Sequence, residues 1–169
     1  MGYTHYWERP KNNSGSAYMF GQLALDAKKI IEQAEQDGIR IRNGHGEGEP
    51  DFNEAFFSIN GDAMGTRTEA NGALVPADLA HESFIWEGIP TIQEWRKDEP
   101  MTSDFCKTAY KPYDVVVTAI LIRAKHIYGS CVSISSDGDW ESIHWAYGRR
   151  LYEQVFGEVA ECPFETAKV

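Results

Sequence analysis

The clearest pattern in the chain is an apolar stripe at helical spacing between residues 17 and 36. The stripe consists of Phe20, Leu23, Ala24, Ala27, Ile30, Ile31 and Ala34. Apolar residues that recur every three to four positions line one face of a helix, so the stripe predicts an amphipathic helix here. Ser16 is placed to cap its first turn, and Gly38 suits the left-handed residue that follows a helix.

A second stretch, residues 113–128, carries apolar residues around the whole helical wheel. They are Val115, Val116, Val117, Ala119, Ile120, Leu121, Ile122, Ala124 and Ile127. A helix that is apolar all round is buried on nearly all sides, so this segment is the predicted centre of the core. Pro112 fits the first helical position, and Gly129 ends the helix.

Alternating and β-branched segments before, between and after these helices predict short strands. The predicted strands are residues 3–7, 39–42, 55–59, 81–86 and 131–135. Asn60-Gly61 is typical of a tight turn at the end of a strand. A third helix is expected over about residues 140–156, with Asp139 as its cap.

Residues 62–80 and 89–103 show no clear period and are expected to be surface segments. The order of elements predicts an α+β fold: a mixed, mostly antiparallel sheet of about five strands and about three helices, one of them, at about residues 113–128, buried. At 169 residues the chain is long enough for a single domain, residues 1–169. The tail from about residue 157 is expected to be loosely attached.

The charge of the chain limits its partners. The formal net charge is −10, which disfavours binding to nucleic acid because such binding needs a basic surface. Residues 51–103 carry ten acids and three bases, whereas residues 104–169 carry nine acids and seven bases. An anionic small molecule would find its counter-charges in the second part. The alternative interpretation is that the acidity only aids solubility.

The sequence also bears on location and cofactors. A run of about 18 apolar residues is absent, so no membrane span is expected. The first seven residues lack the basic region and apolar core of a signal peptide, which predicts a cytoplasmic protein. Three cysteines without CxxC spacing predict neither a disulfide framework nor a structural zinc site. We expect no cofactor, and a homo-oligomer remains one alternative for the assembly.

Three hydrogen-bond donors precede the predicted buried helix within five residues. They are Lys107, Thr108 and Lys111. Two ammonium groups and a hydroxyl suit a phosphate or carboxylate, and a helix start adds free N–H groups and partial positive charge. The alternative is that both lysines are solvated and Thr108 is an ordinary strand residue.

Aromatic and acidic side chains add a second candidate set. Tyr3, His5 and Trp7 share one face of the first predicted strand, where their rings could stack on a purine or ribose. Glu82 and Asp137 are candidates for accepting hydrogen bonds from hydroxyls or amines. The alternative for the rings is a core strand with one satisfied histidine, because cores use aromatic residues freely.

Metal binding and thiol chemistry are less favoured by the sequence. His81 and Glu82 are neighbours on a strand and point to opposite faces, so they do not easily share one metal with Asp137. Repeated spacings such as HExxH are absent. Cys106 adjoins Lys107, and a nearby cation can activate a thiol; the alternative is a buried, inert cysteine. We therefore predict no metal ligands and no catalytic residues.

Segments spread along the chain, in order, resemble those of a family of small uncharacterised bacteriophage and prophage proteins. The matching segments are Gly2-Tyr3-Thr4-His5-Tyr6-Trp7, Asn60-Gly61, His81-Glu82 with Phe84, Lys107-Thr108-Ala109, Lys111-Pro112-Tyr113-Asp114 and Ser136-Asp137-Gly138. The resemblance implies a viral accessory role, such as countering a host defence, in the host cell cytoplasm. It carries over no activity and no catalytic residue.

These observations lead to one expected function and two alternatives. We expect a phage accessory protein that binds and sequesters a small anionic metabolite, a nucleotide or a nucleotide-derived host defence signal. The first alternative is an enzyme acting on a nucleotide, with His5 or His81 as general base and Lys107 stabilising developing charge. The second is an acidic inhibitor that occupies a basic surface of a host protein.

Overall fold

A computed structural model describes residues 2–165 of the chain. Its helices are α1 Ala17–Gln36, α2 Asp114–Tyr128 and α3 Ile143–Phe156. Its strands are β1 Thr4–Pro10, β2 Asp51–Phe52, β3 Phe56–Ile59, β4 Gly65–Thr68, β5 Leu74–Ala77, β6 Phe84–Glu87, β7 Met101–Lys107 and β8 Ser133–Ser136. With 34% helix and 24% strand, the predicted α+β class is confirmed.

The strands form three small antiparallel sheets instead of the single expected sheet. Their orders are β7-β1-β8, β2-β3-β6 and β4-β5. Strand β7, which the sequence does not predict, pairs along the whole length of β1, from Thr4 opposite Lys107 to Pro10 opposite Met101. A parallel bridge between Ile134 and Phe164 adds to the edge of β8.

Helix α1 has the bounds and the caps that its sequence predicts. The Ser16 hydroxyl accepts a hydrogen bond from the Met19 N–H at 3.1 Å. Gly38 has φ +91°, and the Ile39 N–H beyond it donates to the Ala34 carbonyl at 2.9 Å. This is the hydrogen bond that ends a helix through a left-handed residue.

Helix α2 forms the middle of the core, as predicted, and ten of its fifteen residues are buried. Its start differs from the prediction. Tyr113 is the N-cap residue and Asp114 is the first helical residue, so Pro112 precedes the helix. The helix ends at Gly129, whose φ is +54°.

Helix α3 begins three residues later than expected. Ser142 is its N-cap and accepts a hydrogen bond from the Trp145 N–H. Asp139 is not the cap, because residues 139–142 form a turn in which the Ser142 N–H donates to the Asp139 carbonyl. The helix lies very close to α2 at Gly148, where a Cβ atom would be 2.0 Å from Thr118 Oγ1.

Several short segments also differ from their predictions. Residues 39–42 contribute only one bridge, between Arg42 and Asn60. Because Asn60 pairs with Arg42, Asn60-Gly61 does not form a two-residue hairpin. His81 and Glu82 precede β6 instead of lying within it. The expected surface segment 62–80 contains the hairpin β4-β5.

The sequence predicts a loose tail from about residue 157, whereas part of that tail packs on the domain. Ala160 is buried. The ring of Phe164 lies 4.9 Å from that of Trp145, edge to face. Aromatic contacts of this kind stabilise a segment that lacks helical or strand periodicity. Residues 166–169 lie outside the part that the structure describes. Within residues 2–165, none of the helices has the length and apolar character to cross a bilayer.

Asp104 on β7 supplies a prediction about stability and pH. Burial raises its pKa to about 6, whereas an unfolded aspartate titrates near 4. The folded protein therefore holds this proton more tightly, and its free energy of unfolding falls as pH rises from about 4 to about 6. We expect Asp104→Asn to raise the urea midpoint at about pH 7.5 and to leave it nearly unchanged at about pH 4.

The matched control for this prediction is Asp51→Asn, since Asp51 is exposed on β2. Urea unfolding at both pH values measures the difference from the parent protein. An Asp104→Asn advantage of the same size at both pH values would contradict the assignment of this effect to the Asp104 carboxyl.

Candidate functional site

The connection from β7 to α2 separates two polar regions. On one side lies the buried polar cluster, which we define as His5, Thr108, Asp114 and Ser136. On the other side lies an open groove of about 490 Å³. The described residues that line the groove are Gly44, His45, Asn60, Ala63, Asp78, Ala80, His81 and Glu82.

The buried polar cluster is centred on the His5 ring, which is 0% exposed. Its Nε2 lies 2.6 Å from Asp114 Oδ1, and its Nδ1 lies 2.9 Å from Ser136 Oγ. The Thr108 hydroxyl donates to the same Asp114 oxygen at 2.6 Å. Strand β1, strand β8 and the first turn of α2 are therefore joined through one histidine.

The hydrogen bonds at Ser136 determine where the protons lie. Ser136 Oγ accepts from the Trp145 Nε1–H at 3.2 Å and from the Gly138 N–H at 3.0 Å. Both lone pairs are then occupied, so the Ser136 hydroxyl donates to His5 Nδ1. His5 is consequently the neutral Nε2–H form, which donates to Asp114.

This chain of serine, histidine and aspartate does not have the geometry of a hydrolase triad. In such triads the serine bonds Nε2 and the aspartate bonds Nδ1, which is the reverse of His5. Ser136 Oγ also has no free lone pair with which to attack. His5 is fully buried and both its nitrogens are occupied, so these contacts disfavour the general-base role that the enzyme alternative gives it.

The rings of Tyr3 and Trp7 do not offer free faces to a ligand. Trp7 is 3% exposed and packs against Phe84 and Trp86, so it is a core residue. Tyr3 is 2% exposed and stacks on Tyr110 at 4.2 Å. Burial and the nearby Asp114 carboxylate raise the pKa of Tyr3 to about 12. The alternative of a core strand with one satisfied histidine describes β1 correctly.

Two further predicted ligand contacts, Thr108 in the buried polar cluster and Asp137 beyond β8, lie away from the groove. Thr108 is 0% exposed, and its hydroxyl is already bonded to Asp114. Asp137 is exposed at the end of β8, where its Oδ2 accepts the Thr4 N–H at 3.0 Å. The Asp137 N–H donates in turn to the Thr4 carbonyl. This reciprocal pair fixes the end of the sheet.

The groove is held together by Asn60, which is 2% exposed. Its Nδ2 donates to the carbonyls of Gly44 and His81. Its Oδ1 accepts from the N–H groups of Gly61 and His81. One amide side chain thus ties the loop at Gly44 to the segment before β6, which are the two walls of the groove.

The groove has imidazole groups on its walls and one ammonium group beside it. The Lys111 ammonium donates to the Asp78 carbonyl at 2.8 Å. His81 Nδ1 lies 2.8 Å from the Lys107 carbonyl, so this nitrogen carries a proton and Nε2 is left for a ligand. His45 is exposed on the opposite wall. Together these groups can meet an anion.

A hydrogen bond links the Glu82 side chain to the backbone of Lys107. Glu82 Oε2 accepts the Lys107 N–H at 2.9 Å, and its Oε1 is left for a ligand. The Lys107 side chain lies against Gly2, where a Cβ atom would be 3.0 Å from Nζ. Of the predicted ligand residues, Glu82 therefore lines the groove, whereas Lys111 and Lys107 lie beside it and are bonded to Asp78 and Glu82.

Three polar residues that line the groove are not predicted from the sequence: His45, Asn60 and Asp78. Each lies in a loop or beside a turn, where no periodicity marks a shared location. The Asn60-Gly61 pair is a partial signal, but it indicates a turn and not the four hydrogen bonds that Asn60 makes.

Cys106 is not an activated thiol. Burial raises its pKa far above the usual range, and its Sγ lies 3.4 Å from the Glu82 carbonyl. Within residues 2–165, no group of three or more histidine, cysteine or acidic side chains is arranged to hold a metal ion.

A second cavity, of about 430 Å³, lies between α2 and the segment after α3. Lys125 and His126 line it together with Glu158, Glu161 and other residues. The Lys125 ammonium already bonds Glu165 and the carbonyls of Gly129 and Val132. Its charge is therefore compensated, which makes this cavity a weaker anion site than the groove.

Taken together, these observations define a small α+β protein with an open polar groove. Comparison of the chain with protein-family models, curated proteins and solved structures finds no match.

Proposed function

We propose that this protein is a bacteriophage accessory protein that binds a small anionic metabolite, a nucleotide or nucleotide-derived host defence signal, and sequesters it in the host cell cytoplasm. The observation that carries the proposal is the Lys111 ammonium beside an open polar groove: it bonds the carbonyl of Asp78, which lines the groove together with His45 and His81. The viral setting rests on the resemblance of the quoted segments to phage and prophage proteins.

The negative charge of the whole chain does not prevent anion binding at the groove. In physiological salt, repulsion between exposed charges is screened beyond about 8–10 Å. The groups within that distance then determine whether an anion is attracted, and near the groove they include Lys111 and two imidazoles. The Asp78 and Glu82 carboxylates oppose an anion at the same wall, so the ligand must also offer hydrogen-bond donors.

Sequestration is favoured over catalysis by the state of the nucleophiles. Ser136 Oγ is occupied by two N–H donors, and burial raises the pKa of the Cys106 thiol. Neither group is available to attack a bound ligand. A groove that binds without reacting would release its ligand intact when the protein is denatured.

One observation favours an enzyme acting on a nucleotide as the second candidate. Because His81 Nδ1 donates to the Lys107 carbonyl, the neutral ring presents Nε2 as a proton acceptor. His81 is thus oriented as a general base requires. A ligand recovered in altered form, with the parent protein but not with His81→Asn, would favour this function.

The leading prediction for binding concerns Lys111. A hydrogen bond to a charged group contributes roughly 1.5–3 kcal/mol, so Lys111→Ala should weaken anion binding about tenfold to a hundredfold. The melting temperature should change little, because Lys111 bonds only the Asp78 carbonyl. Lys107→Ala should have a smaller effect, since its ammonium lies against Gly2. Calorimetric titration with AMP and with inorganic phosphate measures both.

Lys97→Ala is the matched control, because Lys97 is exposed and pairs only with Glu94 in the loop before β7. Parent-like binding by Lys111→Ala would place the anion elsewhere, with Arg149 and Arg150 on α3 as the next candidates. Absence of small-molecule binding together with a co-purifying host protein would favour the acidic inhibitor.

A further inference from the structure

The outer face of the sheet β7-β1-β8 carries two aromatic rings that are exposed. Tyr6 on β1 is 40% exposed and lies opposite Phe105 on β7, which is 57% exposed. Their neighbours His5 and Trp7 point to the other face and are buried. A sheet face that only water covers is usually polar. We propose that this outer face docks against the same face of a second copy of the chain.

The strand register places opposite charges on either side of this ring pair. Lys107 lies opposite Thr4, and Glu8 lies opposite Ser103. Residues that face each other across an antiparallel pair lie on the same side of the sheet. Lys107 and Glu8 are therefore each two residues, about 7 Å, from the ring pair, in opposite directions along the strands. Within residues 2–165, neither charge makes an ion pair.

This arrangement makes the face complementary to itself. A two-fold axis that lies between two stacked sheets, and crosses the strands at the ring pair, reverses the strand direction. Lys107 of each copy then lies over the end of the other copy that carries Glu8, so the attraction occurs twice. The rings of both copies meet at the axis, where face-to-face sheets are about 10 Å apart.

The other charges near the two ends do not oppose this arrangement. Arg96 donates to the Ser103 hydroxyl, but its guanidinium pairs with Glu99 at 2.6 Å. Asp137 lies beyond the end of β8 and accepts a backbone N–H at 3.0 Å. Across the two-fold axis it would face the end of β8 that begins at Ser133, and not a second acid.

The charge pattern favours a second copy over other partners. An anionic membrane or a nucleic acid would be repelled by the net charge of −10, and a uniformly basic protein would match only one end of the face. Two copies repel each other at long range, but physiological salt screens this repulsion beyond about 8–10 Å. The contacts between Lys107 and Glu8 act within that distance.

The size of the face indicates how strong the dimer is. Seven residues of β1 and three neighbouring strands give a face of at most about 24 Å by 14 Å. Each partner in a stable complex usually buries about 800 Å², which is more than this face supplies. We therefore expect a weak dimer that forms at concentrations of about 100 μM and above.

The test is sedimentation equilibrium of the parent protein from about 10 to 500 μM in about 0.15 M salt, with circular dichroism as a check on the folding of each variant. Phe105→Ser should weaken the dimer about tenfold or more. Tyr18→Ser also removes an exposed ring, on α1, and should leave the dimer unchanged. A monomer at every concentration, which would leave the face to another kind of partner, would overturn the inference, and so would a dimer that Phe105→Ser retains.

Exchange of the two charges tests the two-fold arrangement itself. Glu8→Lys and Lys107→Glu each place like charges over one another twice, so each should weaken the dimer about tenfold or more. The double variant restores opposite charges at both contacts and should dimerise within about threefold of the parent. A double variant that is as weak as either single variant, or single variants that dimerise like the parent, would overturn this arrangement.

Discussion

An Ile120→Asp variant is expected not to fold. Ile120 is 0% exposed in the middle of α2, a helix that contacts both α1 and α3. An unpaired carboxylate there would lose its hydration without gaining a partner, at a cost of several kcal/mol. The total stability of a domain of this size is about 5–15 kcal/mol. Circular dichroism and thermal melting measure the result.

The matched control is Ile143→Asp, the same substitution at an exposed residue. Ile143 begins α3, where a carboxylate interacts favourably with the positive end of the helix. We expect this variant to melt close to the parent. A soluble Ile120→Asp protein with a cooperative melt would contradict the placement of α2 at the centre of the core.

Asp114→Ala is expected to have the second largest effect. The Asp114 carboxylate accepts from His5 and from Thr108, both 0% exposed. Removing it leaves two buried donors without partners, and each unsatisfied buried donor typically costs about 1–3 kcal/mol. Urea unfolding should therefore show a much lower midpoint with an unchanged slope.

Asp139→Ala controls for loss of an aspartate near a helix start, because Asp139 is exposed in the turn before α3. Asp114→Asn should lose less stability than Asp114→Ala, because the amide oxygen can take the place of Oδ1, which accepts both donors. Equal stability of Asp114→Ala and the parent would show that the buried polar cluster does not stabilise the domain.

The helices illustrate what the sequence predicts well. The stripe from Phe20 to Ala34 and the all-round apolar pattern of α2 depend on burial alone, and periodicity reports burial directly. The caps at Ser16 and Gly38 are local, so they can also be read from neighbouring residues. The start of α3 is missed because Asp139 and Ser142 are both good cap residues, and residue type alone does not distinguish them.

The strands and the groove depend on contacts between distant parts of the chain. The residues of strand β7, Asp104 and Cys106 among them, do not alternate between apolar and polar as a strand predicts. The strand also pairs with β1, which lies about a hundred residues earlier in the chain. The groove depends on Asn60 bonding Gly44 and His81 at once. Such a contact leaves no periodic signal in the sequence.

Some candidate ligand residues are buried in the structure and others lie near the groove, and the sequence does not distinguish the two groups. Tyr3, His5 and Trp7 are predicted to share a face of β1, and the structure buries that face. Residue type alone does not distinguish a stacking ring from a core ring. Glu82 lines the groove and Lys111 lies beside it, because both belong to connections outside the paired strands.

The measurement that tests the central claim most directly is an amide chemical-shift titration of isotope-labelled protein with AMP, ribose 5-phosphate and inorganic phosphate. The account predicts saturable shifts with one dissociation constant at Gly44, His45, His81 and Glu82, and much weaker shifts at these residues in Lys111→Ala. Absence of saturable shifts with all three probes, or shifts confined to the cavity at Lys125 and His126, would contradict it.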